Sequence, residues 1–593
     1  MADKTKDWQL YENGVSYNNR LSPNYYETVN ANWDFFSGNQ WRNLPDSDMP
    51  KPVFNIIKRV ITFFVASLTT SKAKIHFEPM MYSHETPDTG RVSDAIAAAI
   101  ANKQIDALFE KFKMEFRIKD ALFDSAITGD AAAHFYFDVS KKPYGSRYSE
   151  IKGEICMELV DGTNIFFGNA NSDKTENQPY IIVSGRDMVK NLKEEAERYK
   201  NNPDAIREDS SYTNEAGYNG KIEVEGDESG KAEYIIIYRK VKKTRKGVDP
   251  ATGMENEEEY TTITASKSVE SAYIYQDIDT GLSNYPVAWL NWEKQKNTYH
   301  GRALCTGMLP NQIFINRMFA MVMYHLMMTA FPKAVYNADV IDLWTNAVGE
   351  AIPVTGVDLN TNLQNIAGYL QPGNMSNQIM EAIDLAMQYT KEMLGASDAA
   401  LGQIDPKNTS AIIAVQKSSA IPLENPKSNL YEWIEDIGKI LFDMMGTYYG
   451  PRPVMLDDGT VQDFDFATLK DAWLDIRADV GESSYWSEIA SLQTLDNLLA
   501  NGHITIDEYL KRIPDEQVPQ KEELIQEIQA RMAQALQQQM EQAQMGAPDP
   551  NQAEAEQEAA MQSSAQDFQQ KAALKQMEID GKMELAKLNK KAK

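Results

Sequence analysis

The chain has 593 residues, 86 of them acidic and 59 basic, which gives a formal net charge of −27. Hydrophobic residues make up 42% and charged residues 24%, as in a folded protein rather than a disordered one. An acidic excess of this size repels the phosphate backbone and disfavours broad, affinity-driven binding of nucleic acid. It leaves open a conduit whose walls must let DNA slide.

Cysteine content and the first residues indicate the compartment. Cys156 and Cys305 are too few for a disulfide framework or a cysteine-based zinc site within one chain, so we expect synthesis in a reducing cytoplasm. The opening MADKTKDWQLYENG lacks the apolar core of a signal peptide, and we expect no secretion by that route. Charged and amide residues interrupt the apolar runs at 53–68 and 308–330, which fall short of the roughly 18 to 20 residues of a membrane-spanning helix.

The first predicted elements are two helices, each indicated by apolar residues at helical spacing. Tyr25, Val29, Trp33 and Phe36 recur every three or four residues and predict a helix that ends at Ser37-Gly38-Asn39. A second helix is predicted from near Phe54. Its predicted buried stripe is Ile56, Val60, Phe63, Phe64 and Leu68.

An alanine-rich stretch at 94–127 predicts one helix of more than thirty residues, which stops at Gly129. The alternating runs AHFYFDV and EICMELV then predict two strands. Residues 201–231, rich in Asn, Gly, Ser and Glu, predict a mobile loop. Residues 232–243 and 258–264 predict a hairpin. The sequence thus indicates an α+β fold, mainly helical.

The second half predicts a helix, a small module and a helix. The first helix is expected from about Arg302 to Ala330, the module over 333–372 and the second helix over 376–394. The face of the second helix is predicted to hold Ile379, Ile383, Met387, Thr390 and Leu394. A loop at 395–410 follows.

Another helical stretch is predicted to end around Gly450, bent or interrupted by Pro422 and Pro426. Residues 473–480 predict a strand that returns to the earlier sheet, and 485–513 predict two or three short helices. From Asp515 onward, Gln, Glu, Ala, Met and Lys dominate. These residues favour helices that are stable by association only.

Local signatures of catalysis are missing. The sequence contains no G-x-x-x-x-G-K-[ST], H-E-x-x-H, G-x-S-x-G or G-x-G-x-x-G motif. The six histidines, at 76, 84, 134, 300, 325 and 503, are far apart, and we expect them to be structural or solvated. We therefore predict no enzyme, no metal and no cofactor.

Two charged patterns allow a second interpretation. Asp457 with Asp458, and Asp463 with Asp465, could hold Mg²⁺ or Ca²⁺, although turn and solvent-face roles fit their surroundings better. The basic run at 239–246 could contact phosphates. Its place near a hairpin tip fits a solvated strand edge better.

Several strings resemble the portal proteins of tailed bacteriophages. The opening Asn32–Trp41 followed by Pro52–Pro79 is similar to the start of that family's wing domain, with Gly38, Gln40, Trp41, Asn55 and Pro79 in matching places. Tyr285–Asn337 is similar to the entry into the first stem helix, with Gly301 before the helix and Pro332 after it. Leu394–Ala420 is similar to the family's tunnel loop and the start of the helix behind it.

The resemblance implies a ring subunit with wing, stem, clip, tunnel loop and helical crown. The implied divisions are 1–300 wing (α+β), 301–331 first stem helix, 332–375 clip, 376–394 second stem helix, 395–410 tunnel loop, 411–484 long helix and return to the wing, 485–514 crown helices, and 515–593 a Gln/Glu/Ala-rich helical tail, barrel-like or partly disordered.

By the same resemblance, the ring is a channel at one capsid vertex for packaging and ejecting double-stranded DNA. The implied DNA-facing residues of the tunnel loop are Gly395, Gly402, Gln403, Ile404, Asp405, Lys407 and Asn408, and the implied stem residues are Arg317, Met321 and Lys391. The implied partners are further copies of the chain, about twelve in all, double-stranded viral DNA, terminase, major capsid and scaffold proteins, and neck or tail adaptor proteins. The implied location is the virion, after synthesis in the host bacterial cytoplasm, with no membrane partner.

Two other classes of function remain open. One is a nuclease whose metal-binding carboxylates are dispersed in the sequence. The other is an intracellular scaffold or coiled-coil adaptor built on the C-terminal helices. Clustered carboxylates in a pocket would favour the first, and assembly that depends on residues after Arg512 would favour the second.

Overall fold

A computed structural model gives the fold. It describes residues 4–42, 49–69, 73–80, 94–143, 150–209, 211–213, 223–225, 230–248, 255–330, 334–345, 352–356, 358, 362, 365–369, 377–393, 421–455, 461–479, 494–501 and 503–513, with isolated positions between 521 and 531. Two compact units are present, Met1–Ser484 and Tyr485–Lys593. Helix outnumbers strand among the described residues, so the protein is mixed α and β, compatible with the predicted α+β class.

Three helices open the first unit. α1 spans Lys6–Arg20, α2 spans Tyr25–Ser37 and α3 spans Ile56–Leu68. The predictions for α2 and α3 are confirmed. α1 was not predicted, because few apolar residues mark its buried side.

Local chemistry sets the ends of these helices. Gly38 ends α2 in the left-handed conformation at φ 98°, where glycine carries no Cβ penalty. The Asn55 side chain caps α3 by accepting a hydrogen bond from the backbone N–H of Lys58 at 3.0 Å. Four of the five residues of the predicted α3 stripe are buried, and Phe63 is half-buried.

The prediction of one long helix at 94–127 is wrong. The chain forms α4, Asp94–Phe112, and α5, Met114–Thr128, separated at Lys113. Lys113 has φ 52°, and a left-handed residue ends one helix and turns the chain before the next. Both helices nevertheless bury their alanine-rich and aliphatic faces in one core.

Two antiparallel sheets hold the predicted strands. β2, Asp130–Asp138, lies between β3, Glu154–Asp161, and β11, Val287–Asn291. A five-stranded sheet contains β4 Ile165–Phe167, β5 Tyr180–Met188, β8 Lys231–Val248, β9 Glu255–Ser268 and β10 Tyr273–Asp279. Their order across the sheet is β10-β9-β8-β5-β4.

The hairpin prediction is confirmed, and the pairing of β8 with β9 runs further than predicted, from Ile235↔Ser268 to Val248↔Glu255. Residues 201–231 were predicted to be a loop, but their described part includes a short strand pair. α6, Val189–Arg198, precedes this pair, which consists of β6, Ser211–Thr213, and β7, Glu223–Glu225.

The predicted helix, module and helix have counterparts. α7 spans Leu304–Thr329 and α8 spans Asn377–Met393, and the two helices contact each other. Between them, β12, Ala334–Tyr336, pairs antiparallel with β13, Ala367–Tyr369. On α8, Ile383 and Thr390 are buried and Ile379 and Met387 half-buried, which confirms the predicted face; Leu394 lies outside the described residues.

Pro426 does not interrupt the next helix, whereas residues 411–420, where the predicted helical stretch begins, lie outside the described residues. Pro422 lies in the 3₁₀ turn Ile421–Leu423, and α9 then runs unbroken through Glu424–Tyr448. Pro426 occupies the first turn of α9, where the backbone N–H groups have no partner within the helix and proline costs no hydrogen bond.

The largest core joins α3, α4, α5 and α9 to a two-stranded ribbon. The predicted strand at 473–480 is β16, Leu474–Asp479, and it pairs with β1, Lys74–Pro79, rather than with the β2 sheet. Gly438 of α9 lets the ribbon approach closely, since a Cβ there would lie 3.1 Å from Ile75 and 3.2 Å from Ile476. β14, Pro451–Met455, and β15, Val461–Asp465, form a separate pair.

In the second unit, residues 494–500 are helical and α10 spans Ile506–Arg512. Thr505 and Glu508 form a capping box at the start of α10. The Tyr509 hydroxyl donates a hydrogen bond to Asp496. These elements agree with the short helices predicted for 485–513.

We expect Gly301→Ala to destabilise the protein by about 1 to 3 kcal/mol, because the added Cβ overpacks the interior. That Cβ would lie 2.5 Å from the carbonyl oxygen of Gly129, which is backbone and cannot swing away. Urea unfolding at a fixed protein concentration measures the change. Gly307→Ala on exposed α7 surface is the control; nothing lies within 4 Å of its added Cβ, and it should be neutral or stabilising by about 0.5 to 1 kcal/mol. Equal losses in the two variants would contradict the packing argument.

Candidate functional site: the α7–α8 pair and its anchor

A buried amide network anchors the first half of α7. Gln312 donates from Nε2 to the carbonyl oxygen of Phe54 at 2.7 Å and accepts at Oε1 from the backbone N–H of Ile56 at 3.1 Å. The same Nε2 lies 2.9 Å from Oδ1 of Asn316, whose Nδ2 donates to Gln40 Oε1 at 2.5 Å. α7 is therefore tied to both ends of the segment between α2 and α3.

Side chains within the segment between α2 and α3 also hydrogen-bond to its backbone. Gln40 donates to the carbonyl oxygen of Phe35 at 2.9 Å, and Trp41 Nε1 donates to that of Pro52 at 2.8 Å. Asn55 donates to the carbonyl oxygen of Phe36 at 2.8 Å. Gln40, Trp41 and Asn55, singled out in the sequence, thus satisfy backbone carbonyls at the end of α2 and in the segment between α2 and α3.

A second buried network lies just before α7. The Asp130 carboxylate is fully buried and accepts from the Tyr25 hydroxyl at 3.0 Å, Asn291 Nδ2 at 2.7 Å and the Gly301 N–H at 2.6 Å. His300 Nδ1 lies 2.7 Å from Asp130 Oδ2. Burial, then the Asp130 charge, raises the pKa of Tyr25 well above its usual value, so this hydroxyl stays a donor.

Asp130 and His300 are a fixed structural pair. Each carboxylate oxygen of Asp130 has two partners, and His300 Nε2 lies 2.9 Å from Asn18 Oδ1. The Tyr25 ring stacks on the imidazole with centroids 3.8 Å apart. The network holds α1, α2, β2 and β11 against the residues that lead into α7.

The second half of α7 exposes apolar side chains. Leu326, Met327 and Met328 are 55%, 59% and 53% exposed. The other exposed apolar residues of the two helices are Phe314, Met321, Met323 and Tyr324 on α7 and Met380, Leu385 and Tyr389 on α8. A helix that is apolar on most of its circumference is normally buried, so this surface is typical of one covered by another protein. None of the described helices is both long and apolar enough to cross a membrane.

The module between the helices continues this surface. Val335, Leu343 and Tyr369 are exposed, and Trp344 stacks on Tyr336 with centroids 5.7 Å apart. Trp344 also meets Tyr369 edge to face at 5.7 Å. The aromatic cluster fixes the strand pair β12–β13 while its neighbours remain accessible.

The stem residues singled out in the sequence lie on this pair. Arg317 and Met321 are exposed, one helical turn apart on α7, and Lys391 is half-buried in the last turn of α8. The loop residues Gly395, Gly402, Gln403, Ile404, Asp405, Lys407 and Asn408 lie outside the described residues, as do Asp457 and Asp458.

Asp463 and Asp465 lie on β15, and one of them has a local capping role. Asp465 accepts from the backbone N–H of Ala467 at 3.0 Å and caps a 3₁₀ helix, and Asp463 is exposed on β15. Among the described residues, no three His, Cys, Asp or Glu side chains come together to hold a metal ion.

Part of the basic run is paired within the chain. Arg239 forms an ion pair with Asp7 at 2.6 Å, and Lys243 with Asp279 at 2.6 Å. Lys240 donates to the carbonyl oxygen of Glu176 at 3.3 Å. The run is therefore not a free phosphate-binding patch at these three positions.

One cleft of about 320 Å³ lies between α9 and the loop after β4. Its charged lining residues are Asp173, Lys174, Glu176, Lys294, Glu432, Asp436 and Lys439. Opposite charges meet inside it, for example Lys294 and Asp173 at 3.2 Å. Its four acidic and three basic residues nearly balance, so the cleft carries little net charge.

Two carboxyl groups have strongly shifted pKa values. Burial, followed by the charges of Asp161 and Asp120, raises the pKa of Asp124 to about 7. Burial raises the pKa of Asp161 to about 6. The two groups repel each other when ionised, which favours the protonated forms.

No protein-family model matches the sequence, and no curated protein shows significant similarity to it.

We expect Gln312→Met to destabilise the protein by about 1 to 3 kcal/mol, because the Phe54 carbonyl, the Ile56 N–H and Asn316 Oδ1 each lose a hydrogen bond. Urea unfolding measures the loss. Asn311→Met, at the exposed neighbouring position, is the control and should change stability by less than about 0.5 kcal/mol. An unchanged Gln312→Met protein would show that the amide network does not anchor α7.

Asp124 predicts a pH dependence. With its pKa raised from 3.8 to about 7, the folded state holds a proton that the unfolded state releases, so its contribution to stability falls as pH rises from about 4 to about 7. Asp124→Asn should therefore reduce the stability lost between pH 5 and pH 8, by about 2 kcal/mol. Denaturant unfolding at the two pH values tests this. Glu110→Gln, at an exposed position of α4, should leave the pH slope unchanged.

Proposed function

We propose that the chain is the subunit of a ring-shaped portal, through which double-stranded DNA enters and leaves a bacteriophage capsid. The observation that carries the proposal is the anchored helix α7, whose apolar second half packs on α8 and stays exposed. A single subunit that leaves this surface in water loses about 1.5 to 3 kcal/mol for each large side chain that could be buried. Neighbouring copies in a ring would cover it.

The shape of the functional region supports a channel rather than a pocket. α7 and α8 lead to and from the module with β12 and β13, so the module stands at the end of two helices. In this function, Arg317, Met321 and Lys391 belong to the channel stem, and residues 395–410 to the loop that meets DNA. The module is the docking surface for terminase and later for neck or tail adaptor proteins.

Charge supports sliding rather than gripping. With −27 per chain, a ring of about twelve copies would carry on the order of −300, which repels DNA from its walls. The same repulsion acts between subunits. Assembly therefore needs apolar contacts and local pairing of opposite charges, while capsid and scaffold proteins hold the ring in the virion.

Negative-stain electron microscopy with mass measurement on the same sample tests the proposal. We expect rings with a central hole and about twelve subunits, as a closed cyclic assembly. Leu326→Asp with Met327→Asp should prevent ring formation while the subunit stays folded, since charges placed in an apolar contact remain unpaired. The control is Phe116→Asp on α5, an exposed apolar position on another helix, which should leave rings intact.

The alternatives make different predictions in the same experiment. A monomer or dimer that is unchanged across concentration and salt would contradict the channel, and EDTA-sensitive DNA cleavage would then favour a nuclease. A coiled-coil adaptor would lose assembly on truncation after Arg512, whereas the ring would keep it.

A further inference from the structure

Part of the β8–β9 hairpin extends beyond the five-stranded sheet. We call residues 240–248 of β8 with 255–263 of β9 the arm. The pairing of β5 with β8 ends at Tyr180↔Arg239, where Pro179 precedes β5, and that of β10 with β9 ends at Asp279↔Thr264. At its base, the Lys240 N–H donates to the carbonyl of Pro179, and Ile263 forms backbone hydrogen bonds with Thr280 and Leu282. Beyond this first residue pair, no further described strand pairs with the arm, and its remaining eight residues of extended chain reach about 26 Å.

The two strands of the arm carry opposite charges. Its β8 strand contains the basic residues Lys240, Lys242, Lys243, Arg245 and Lys246 and no acidic residue, and Lys240 and Lys243 also bond within the subunit. Its β9 strand contains the acidic residues Glu255, Glu257, Glu258 and Glu259 and no basic residue. Because the ribbon has two strands, each strand is also one edge, so one edge is basic and the other is acidic.

Pairing within the hairpin accounts for part of this pattern. The register places Arg245 opposite Glu258 and Lys246 opposite Glu257, and opposite charges across strands stabilise a hairpin by about 0.2 to 1 kcal/mol per pair. Interleaved charges on both strands would stabilise a hairpin equally. Segregation by strand has a further consequence, because it gives the arm two complementary edges.

We propose that the arm is a subunit contact, in which the basic edge of one copy lies against the acidic edge of the next. This inference rests on the proposed ring. In a ring, every subunit presents one side to the neighbour before it and the other side to the neighbour after it. A two-fold contact through the same edge would instead place like charges together. The charge pattern therefore fits a head-to-tail ring and opposes a symmetric dimer.

The edges also offer backbone groups. An unpaired strand edge presents free N–H and C=O groups to another chain, and charged side chains restrict which chain can approach. Each further copy of the protein carries the matching edge on its own arm. The contact supplies local charge pairing that a ring of net acidic subunits requires.

Two charge-reversal variants test the inference. The first changes the basic strand, with Lys242→Glu, Arg245→Glu and Lys246→Glu. The second changes the acidic strand, with Glu257→Lys, Glu258→Lys and Glu259→Lys. Lys243 is kept because it pairs with Asp279. Each variant has arm edges of mainly one sign, so we expect each alone to need about tenfold more protein to form rings.

Mixing the two variants is the decisive experiment. A mainly acidic arm then meets a mainly basic arm at each contact, and rings of alternating subunits should form at the wild-type concentration. Native mass spectrometry measures the ring mass and the 1:1 composition. A role inside the hairpin alone predicts no rescue, because each chain keeps its own like-charged strands; absence of rescue would overturn the inference.

A chain with all six substitutions controls for folding of the arm. Its strands are again opposite in sign, so it should form rings by itself but exclude wild-type subunits when mixed with them. Free mixing with wild type would contradict the proposed contact while leaving the ring intact. If wild-type protein forms no ring under any condition, the proposed function fails first.

Discussion

Gln312 and Asn316 hold the first half of α7 against the segment that joins α2 to α3, and the placement of the exposed α7–α8 surface depends on this attachment. Gln312 hydrogen-bonds to the backbone of Phe54 and Ile56, and Asn316 donates to Gln40. Amide pairs are directional, so they fix the rotation of the helix as well as its position. The second half of α7 is thereby presented in one orientation, with Leu326, Met327 and Met328 exposed.

The Asp130 network acts on the same element from the other side. Asp130 joins Tyr25, Asn291 and the Gly301 backbone, which brings α2, β11 and the residues before α7 to one point. Gly129 and Gly301 pack so closely that neither tolerates a Cβ. Helix and sheet are therefore closely joined where α7 begins.

The α7–α8 pair and the arm are two surfaces of different chemistry on this unit. The α7–α8 pair offers apolar area, which drives association but specifies direction weakly. The arm offers segregated charge, which specifies direction but contributes little affinity by itself in water. Together they would suit a closed ring, in which strength and orientation must both be encoded in one chain.

Sequence periodicity predicted α2, α3, α7, α8 and the β8–β9 hairpin, because each has a continuous buried stripe or an alternating pattern over many residues. It missed α1 and the break at Lys113. The amphipathic signal of α1 is weak, and Lys113 is an ordinary residue whose left-handed φ follows from how α4 and α5 pack. Asn316 was recognised only as one of the amide residues that interrupt an apolar run. No sequence pattern predicted the buried hydrogen bonds of Asp130, His300 and Gln312, because their partners lie far away in the chain.

By itself, the sequence determined the acidic charge, the order of helices and strands, the apolar character of α7 and the strand-by-strand charge of the arm. These properties are local, set by residue type and spacing. Only the tertiary structure decided that β16 pairs with β1 and that amides from α7 bond the backbone near α3. It also decided that β8 and β9 extend past the ends of β5 and β10. Each of these depends on contacts between distant segments, and such contacts follow from packing and hydrogen-bond satisfaction over the whole subunit rather than from any one stretch of sequence.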